Sequence, residues 1–440
     1  MIEETNLQSL NCKIILCDVI NPLTDNKAEL IRKGAIVIKN GKILEIGKAK
    51  DILPRYARLC PLELICAENK LALPTFFDMH FHWVQDDVRL MSKESLLEWL
   101  SKYTWPYEAK FKNKTFTKKK AKYFTQELLR VGTLGGVCYS SLHSHTTDEA
   151  LKNFVGNFVV GNVLMDMNSP KYLTHKKEVA LKMLQKQTAK FKNRYAVTPR
   201  FAITATPELM KAGAKLAKTH QTFIQTHLSE TLNEIDYVLS IYKKIDGFKD
   251  VKTYTDIYKR CGLLGPKTIM GHGIYLSPDE MKILSKTKTT IAHCPTSNAP
   301  VKELGIGSGL FDFHQIEKNK IRWALGSDIG GGPYLSMFDV MRSFVEQNTK
   351  KKVKGATYVK ALYRATLAGA EILKLNKSTG NLAPGKEANF IFVSSPKKQT
   401  GEKAESVLQK IIKPLSKKRT KYHDLVDQTW NKGEIVYSKY

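Results

Sequence analysis

Hydrophobic and polar positions follow two different rhythms along the chain. Between residues 12 and 70, short apolar runs alternate with polar turns, and the pair Asn40-Gly41 separates two such runs. Asn-Gly favours the tight turn of a β-hairpin because both residues readily adopt positive φ. This segment is therefore predicted to form a small antiparallel β unit.

From about residue 71, short apolar runs alternate with longer helical patterns, such as those over 178–190 and 233–244. This alternation predicts βαβ units with parallel strands. The predicted strands lie near residues 71–80, 133–139, 157–165, 197–205, 222–227, 267–272, 289–293 and 321–326. Eight repeats favour a (β/α)8 barrel over an open sheet.

The chain returns to β character at its end, with a turn-rich segment at 380–386 before an apolar run at 389–393, and a further hairpin strand at 431–437. We therefore predict an α/β protein with a (β/α)8 TIM-type barrel and a small β-sandwich formed by the N- and C-terminal segments. Residues 1–70 and 380–440 would form the composite β domain. Residues 71–379 would form the catalytic barrel.

Potential metal ligands occur where predicted strands end. His80 and His82 are two residues apart, so they share one face of a strand. His227, His272 and Asp328 each follow a later apolar run. Because catalytic groups of such barrels lie at the carboxyl ends of the strands, these side chains are expected to meet at one mouth. Three imidazoles and a carboxylate suit zinc, iron(II) or another first-row divalent ion. Such an ion lowers the pKa of a bound water, so that hydroxide is available near neutral pH.

A proton carrier is needed beside such an ion, and Glu230 follows His227 by three residues. Glu230 is predicted to shuttle the proton of the attacking water. Asp328 would orient that water, and His272 would hydrogen-bond the water or the tetrahedral oxygen. The competing interpretation of Glu230 is an acid stabilised by a helix N-terminus. Any one histidine taken alone is more often a packed or surface residue.

The net charge of +28 is high and is concentrated in lysine-rich patches at 110–122, 350–354 and 417–419. Such patches attract nucleic acid or anionic membranes, but no RNA-binding signature accompanies them. A solvated lysine-rich surface is the favoured interpretation, and nucleic acid and membranes are not expected as partners. An RNA-binding side role stays open.

Cysteine usage and hydropathy bear on the compartment. The seven cysteines are an odd number without a CxxC pair, which favours free thiols in a reducing cytoplasm. No run approaches the ~18 apolar residues of a membrane span. The N-terminal residues 1–6 lack the basic and apolar pattern of a secretory signal.

Several strings together resemble the motifs of the amidohydrolase superfamily over nearly the whole chain. They are Pro74–His82, His227–Glu230, Gly271–Gly273, His293–Asn298 and Gly326–Asp328. Longer and less common strings are similar to the guanine deaminase family within it. These are Leu96–Pro106 with Glu108 and Phe111 beyond, Met165–Asn168 and Val197–Phe201.

This resemblance implies hydrolysis of guanine to xanthine and ammonia in a cytoplasmic homodimer. It implies one zinc ion held by His80, His82, His227 and Asp328. It further implies substrate contacts from Gln85, Arg200, Phe201, His82, Trp83, His227 and Glu230. The side-chain chemistry agrees, because Phe201 offers a flat apolar face, Arg200 offers donors to a carbonyl oxygen, and Gln85 offers both a donor and an acceptor.

Other functions remain as alternatives. The nearest is another mononuclear aminohydrolase acting on a different purine, a pterin or a triazine, and a more distant one is a basic-surface RNA-binding or scaffold protein. A binuclear amidase is disfavoured because that class normally needs a carboxylated lysine at the fourth strand. Residues 200–205 of the predicted fourth strand contain no lysine. The cytidine deaminase type is disfavoured because HxE with PCxxC is absent.

Overall fold

Four N-terminal strands belong to a sheet that lies outside the barrel. In a computed structural model, which describes residues 12–56, 62–414 and 425–440, they are β1 (Cys12–Thr24), β2 (Lys27–Lys39), β3 (Lys42–Lys48) and β4 (Leu62–Pro74). The hairpin predicted at Asn40-Gly41 joins β2 to β3 in antiparallel pairing. The N-terminal residues 1–11, Cys60 and the lysine patch at 417–419 lie outside the described residues.

The eight predicted parallel strands are present, in chain order, in one sheet. They are β5 (Phe76–His82), β6 (Thr133–Ser140), β7 (Asn157–Leu164), β8 (Ala196–Pro199), β9 (Phe223–Leu228), β10 (Thr268–His272), β11 (Thr290–His293) and β12 (Arg322–Leu325). Main-chain hydrogen bonds after β12 close the sheet onto β5, from Asp328 N to His80 O at 2.7 Å and from His82 N to Ile329 O at 3.3 Å. The predicted barrel is confirmed.

Three C-terminal strands complete the outer sheet. They are β13 (Phe390–Ser394), β14 (Gln428–Asn431) and β15 (Glu434–Ser438), and the strand order is β15-β14-β13-β4-β1-β2-β3. The predicted β unit built from both ends of the chain is thus confirmed as a single sheet. Its pairing is mixed, because β1 and β4 run parallel whereas the other neighbours are antiparallel. The domain boundaries at 70 and 380 stay predictions.

Helices occupy the connections between strands. They are α1 (Ala49–Tyr56), α2 (Leu96–Trp99), α3 (Trp105–Glu108), α4 (Lys114–Arg130), α5 (Ser144–Asn153), α6 (Lys177–Phe191), α7 (Pro207–His220), α8 (Leu232–Tyr242), α9 (Tyr254–Arg260), α10 (Pro278–Thr287), α11 (Pro295–Asn298), α12 (Phe313–Lys318), α13 (Met337–Lys350), α14 (Tyr358–Ala365), α15 (Leu367–Ile372) and α16 (Ala404–Ile412). Among the described residues, no helix has the length and apolarity needed to cross a membrane.

The first predicted barrel strand, 71–80, differs from the structure. It divides at Thr75, where the main chain changes partners: Thr75 N donates to Asn389 O in the outer sheet, and Phe76 N donates to Gly132 O beside the barrel. Residues 71–74 therefore end β4, and the barrel strand begins at Phe76. Both segments are buried and apolar, so hydrophobicity alone could not mark this change of sheet.

Apolar side chains from every barrel strand pack together in one buried cluster. They are Phe77, Val137, Val159, Ala196, Phe223, Ile269, Ala292 and Ala324. The same cluster includes Ala368, Ala370 and Ile372 of α15, which pack against the strands. The barrel interior is therefore a packed core, and catalytic groups of such barrels lie at the carboxyl ends of the strands.

Trp430 provides a test of how much the C-terminal strands stabilise the fold. Its ring is 2% exposed and stacks on Phe390, with the ring centroids 5.1 Å apart. We predict that Trp430→Ala lowers the free energy of unfolding by about 3–5 kcal/mol, because it leaves a cavity that the sheet cannot fill. Urea unfolding followed by circular dichroism measures this loss. The control is Ile435→Ala on the neighbouring strand, where the side chain is 48% exposed and a change within about 0.5 kcal/mol is expected.

Candidate metal centre and substrate pocket

Four of the predicted metal ligands meet at the mouth of the barrel. Nε2 of His80 and Nε2 of His82 lie 3.2 Å and 3.4 Å from Asp328 Oδ1. Nε2 of His227 lies 3.1 Å from Nε2 of His82. One ligand atom from each of these four residues lies within 4.8 Å of all the others. A single ion placed among them would therefore contact all four.

The local backbone explains how strands β5 and β12 bring their ligands together. Asp78 pairs with Gly136 and Phe81 pairs with Cys138, so β5 carries one extra residue at a bulge just before His82. A bulge reorients the side chains that follow it. Asp328 adopts a positive φ of 49° while its amide is bonded to His80 O. The barrel closure thus holds a sparsely populated backbone conformation in place.

The chemistry of these residues fits a divalent metal ion. His227 Nδ1 lies 2.6 Å from Arg200 O, so the proton sits on Nδ1 and the lone pair of Nε2 is available. His80 Nε2 is buried and makes no hydrogen bond within the described residues. Burial lowers the pKa of His80 and of His227 to about 3, which keeps both rings neutral as metal ligands must be.

His80 also depends on a close approach of the main chain. A Cβ atom on Gly271 would lie 2.5 Å from Cε1 of the His80 ring, so only glycine leaves room for the imidazole there. Gly271 directly precedes His272 at the end of β10. Gly271, the first residue of the Gly271–Gly273 string, therefore has a packing role beside the candidate metal ligands.

Glu230 and His272 form a second group that shares Asp328 with the first. Glu230 Oε1 lies 3.5 Å from His272 Nδ1, and His272 Nε2 lies 3.9 Å from Asp328 Oδ2. Ser308 Oγ donates to Glu230 Oε1 at 3.3 Å. Burial, with added repulsion from Asp328 and Glu234, raises the pKa of Glu230 well above its usual range. Such a carboxyl group can carry a proton at neutral pH.

One enclosed cavity adjoins both groups. Its lining residues are His82, Gln85, Leu96, Trp99, Leu100, Arg200, Phe201, His227, Glu230, Glu234, His272, Ile306, Asp328 and Gly331. Arg200 and Phe201 follow β8, and they are 2% and 3% exposed. Aromatic and aliphatic walls with a few convergent polar groups are typical of a site for a flat heterocycle.

Comparison with known proteins shows the family. The amidohydrolase family model matches residues 71–436. The chain belongs to the amidohydrolase family.

Members of this family with similar sequences and structures are guanine deaminases. The chain is 32% identical over 426 residues to guanine deaminase of Escherichia coli, covering 93% of this chain and 92% of the relative. It is 32% identical over 407 residues to guanine deaminase of Mus musculus, covering 86% and 87%. A crystal structure of guanine deaminase from C. acetobutylicum with bound guanine superposes with a TM-score of 0.83 at 27% identity, covering 97% of this chain and all of that one. The resemblance inferred from the sequence motifs is confirmed.

Trp83 is the one residue of the predicted substrate set whose side chain the structure places elsewhere in this amidohydrolase. Its Nε1 donates to Ser140 Oγ at 3.0 Å, and its ring packs edge to face on Phe111 and Phe154. Trp83 is the first residue of a short 3-10 helix, Trp83–Val88, that follows β5, and its side chain is buried among these aromatic rings. It therefore supports the barrel wall and does not line the cavity.

Several lining residues were not among the predicted site residues. Leu96, Trp99 and Leu100 belong to the string that carried the family resemblance, but their apolar character is equally typical of a helix core. Ile306 lies in a segment without regular structure. No local pattern predicts which apolar residues of such segments reach the cavity. His143 and His145 repeat the spacing of His80 and His82, but they lie at the start of α5 and are not among the candidate ligands.

Metal content tests the ligand cluster. We predict that His80→Ala and Asp328→Ala each weaken metal binding at least about tenfold, because each removes a donor from a buried set of four. Elemental analysis of the purified, dialysed protein gives the metal retained per chain. The control is His143→Ala, which removes a half-buried histidine outside the cluster and is expected to keep the wild-type metal content. Equal metal in His80→Ala and wild type would contradict the assignment.

Proposed function

We propose that this amidohydrolase hydrolyses guanine to xanthine and ammonia. The observation that carries the proposal is one cavity that joins a cluster of three imidazoles and a carboxylate, a buried acid and the Arg200-Phe201 wall. The extensive similarity to guanine deaminases from bacteria and animals selects guanine among the substrates that such a site accepts.

We propose zinc as the metal, held by His80, His82, His227 and Asp328. The support is the donor set, because neutral imidazoles with one carboxylate favour zinc, and iron(II) suits the same ligands. When bound, such an ion supplies a strong nucleophile from water at neutral pH. Because His80, His82 and Asp328 are buried and His227 is partly buried, the surrounding protein restricts the geometry of the four donor groups.

Glu230 is proposed to move the protons. It takes one proton from the attacking water as the water oxygen bonds to C2 of guanine, and it passes that proton to a ring nitrogen. The second proton of the water reaches the exocyclic amine, which leaves as ammonia while C2 becomes a carbonyl carbon. The raised pKa of Glu230 favours the protonated form, which can donate to the ring nitrogen. Asp328 and His272 are proposed to hydrogen-bond the oxygen bonded to C2.

Substrate orientation is proposed to come from Gln85, Arg200 and Phe201, all of which line the cavity. The Phe201 ring offers an apolar surface to the base. Arg200 offers guanidinium donors to the carbonyl oxygen O6, and Gln85 offers hydrogen bonds to the ring edge.

Partners and compartment complete the proposal. We propose a cytoplasmic homodimer without a nucleic acid partner, and light scattering on the purified protein would test the oligomeric state. The buried thiols of Cys17, Cys138 and Cys294 suit a reducing compartment. The basic surface is partly neutralised by acids of the same chain, as in the pair of Lys120 with Asp87 at 2.6 Å.

Ammonia release tests the choice of base. We expect the metal-replete protein to release ammonia from guanine, because its pocket offers donors to a carbonyl group at C6. Adenine and cytosine are the comparison substrates, followed in the same coupled assay. Ammonia from adenine or cytosine and none from guanine would contradict the proposal.

Substitution of Glu230 tests its role as proton carrier. Glu230→Gln keeps the size and polarity of the side chain but cannot accept the proton of the water, so we predict a loss of kcat by about 10²- to 10⁴-fold with metal content unchanged. Steady-state kinetics and elemental analysis measure the two quantities. Glu280→Gln, in a buried acid that caps α10, is the matched control and is expected to keep near-normal kcat. A near-normal rate in Glu230→Gln would remove the shuttle role.

A further inference from the structure

Glu108, the last residue of α3, accepts hydrogen bonds from two residues of the cavity wall. Arg200 Nη1 donates to both of its carboxylate oxygens at 2.9 Å, and Gln85 Nε2 donates to Oε1 at 2.7 Å. Glu108 is 1% exposed and does not itself line the cavity, whereas Gln85 and Arg200 do. One buried carboxylate therefore fixes two side chains that face the substrate.

The pair with Glu108 fixes the orientation of the Gln85 amide. A carboxylate paired with a guanidinium has only acceptors to offer, so the amide nitrogen of Gln85 must face it. Nε2 also lies 3.1 Å from His82 Nδ1, and because an amide nitrogen can only donate, this contact is a hydrogen bond only when Nδ1 carries no proton. The amide oxygen points the other way, toward Gly330, where a Cβ atom would lie only 2.2 Å from it. This oxygen has no partner within the described residues and is available to a molecule in the cavity.

Arg200 is held through both its main chain and its side chain. Its carbonyl oxygen lies 2.6 Å from Nδ1 of His227, and its Nη1 is taken by Glu108. Nε and Nη2 make no hydrogen bond to other described residues. The guanidinium therefore keeps donors for a ligand, and the ion pair neutralises its charge, so a neutral base can bind without burying an unpaired cation.

We propose that Glu108 is a positioning residue that determines specificity, by making the pocket present an acceptor on Gln85 beside donors on Arg200. The inference rests on the proposed function, with guanine as substrate. The six-membered ring of guanine carries the acceptor O6 next to the donor N1–H, which complements this arrangement. 2-Aminopurine carries the same amine at C2 but lacks both O6 and N1–H. The effect of Glu108 is therefore confined to bases that present this pair.

Glu108→Gln is the direct test. The substitution leaves the Arg200 charge without its partner and lets the Gln85 amide rotate, because a glutamine amide can donate as well as accept. We expect kcat/KM for guanine to fall about 10- to 100-fold, mainly through KM. The dissociation constant of 2-aminopurine, measured from its fluorescence, is expected to change less than about threefold. Equal losses for the two bases, or no loss for guanine, would overturn the proposal.

A double-mutant cycle distinguishes positioning from a general effect on stability. If Glu108 acts through Gln85, then Glu108→Gln costs clearly less in a Gln85→Ala background than in the wild type. Additive losses would overturn the proposal. Unfolding midpoints show whether Glu108→Gln folds. If it does not, Glu108→Asp is the substitute, because it keeps the charge on a shorter side chain. It is expected to lower kcat/KM for guanine, by less than Glu108→Gln would, without weakening the binding of 2-aminopurine.

Glu402→Gln is the matched control. Glu402 lies just before α16 and accepts from Nε of Arg32 in β2 at 2.8 Å, in a mostly buried ion pair whose two residues do not line the cavity. Glu402→Gln is expected to leave kcat/KM for guanine and the dissociation constant of 2-aminopurine unchanged. This result would show that the loss seen with Glu108→Gln is specific to the Arg200–Glu108 pair. Failure of the proposed function is distinguishable, because the wild-type protein would then release no ammonia from guanine, whatever residue occupies position 108.

Discussion

Closure of the barrel between β5 and the residues after β12 is the constraint on which the site depends. The carboxylate of Asp78 joins the two segments, because it accepts from Ser327 N at 2.8 Å, from Ser327 Oγ at 2.5 Å and from His80 N at 3.3 Å. Beside it, Asp328 N donates to His80 O. These bonds place a carboxylate from one end of the barrel sheet against two imidazoles from the other. Without them, the ligand cluster would be divided between two unconnected edges.

The closure is electrostatically demanding. Burial raises the pKa of Asp78 to about 7, although its three hydrogen bonds oppose the rise. Repulsion from the nearby carboxylate of Asp328 raises the pKa of Asp78 further. A buried carboxylate next to neutral imidazoles favours the binding of a cation or a proton, because an unpaired buried negative charge is costly. Burial also raises the pKa of Glu230, so the barrel mouth shifts both carboxyl groups in the same direction.

Arg200 connects this centre to the substrate wall. Its main-chain oxygen fixes the tautomer of His227, and its side chain pairs with Glu108. The guanidinium and the buried carboxylate of Glu108 satisfy each other, as buried charged groups require. Arg200 therefore links the cluster of candidate metal ligands to the cavity wall.

Local sequence patterns were enough to predict eight parallel strands, the (β/α)8 barrel and the polar residues at the strand ends, because strand and helix periodicities are set by neighbours within about ten positions. It also carried the family resemblance, through strings such as His227–Glu230. Tertiary structure alone decided that the apolar run at 71–80 divides between two sheets, that Trp83 turns into the wall, and that Glu108 reaches Gln85 and Arg200. Those outcomes depend on pairings between residues far apart in the chain, and a buried acid at the end of a short helix has no local pattern to distinguish it from an exposed one.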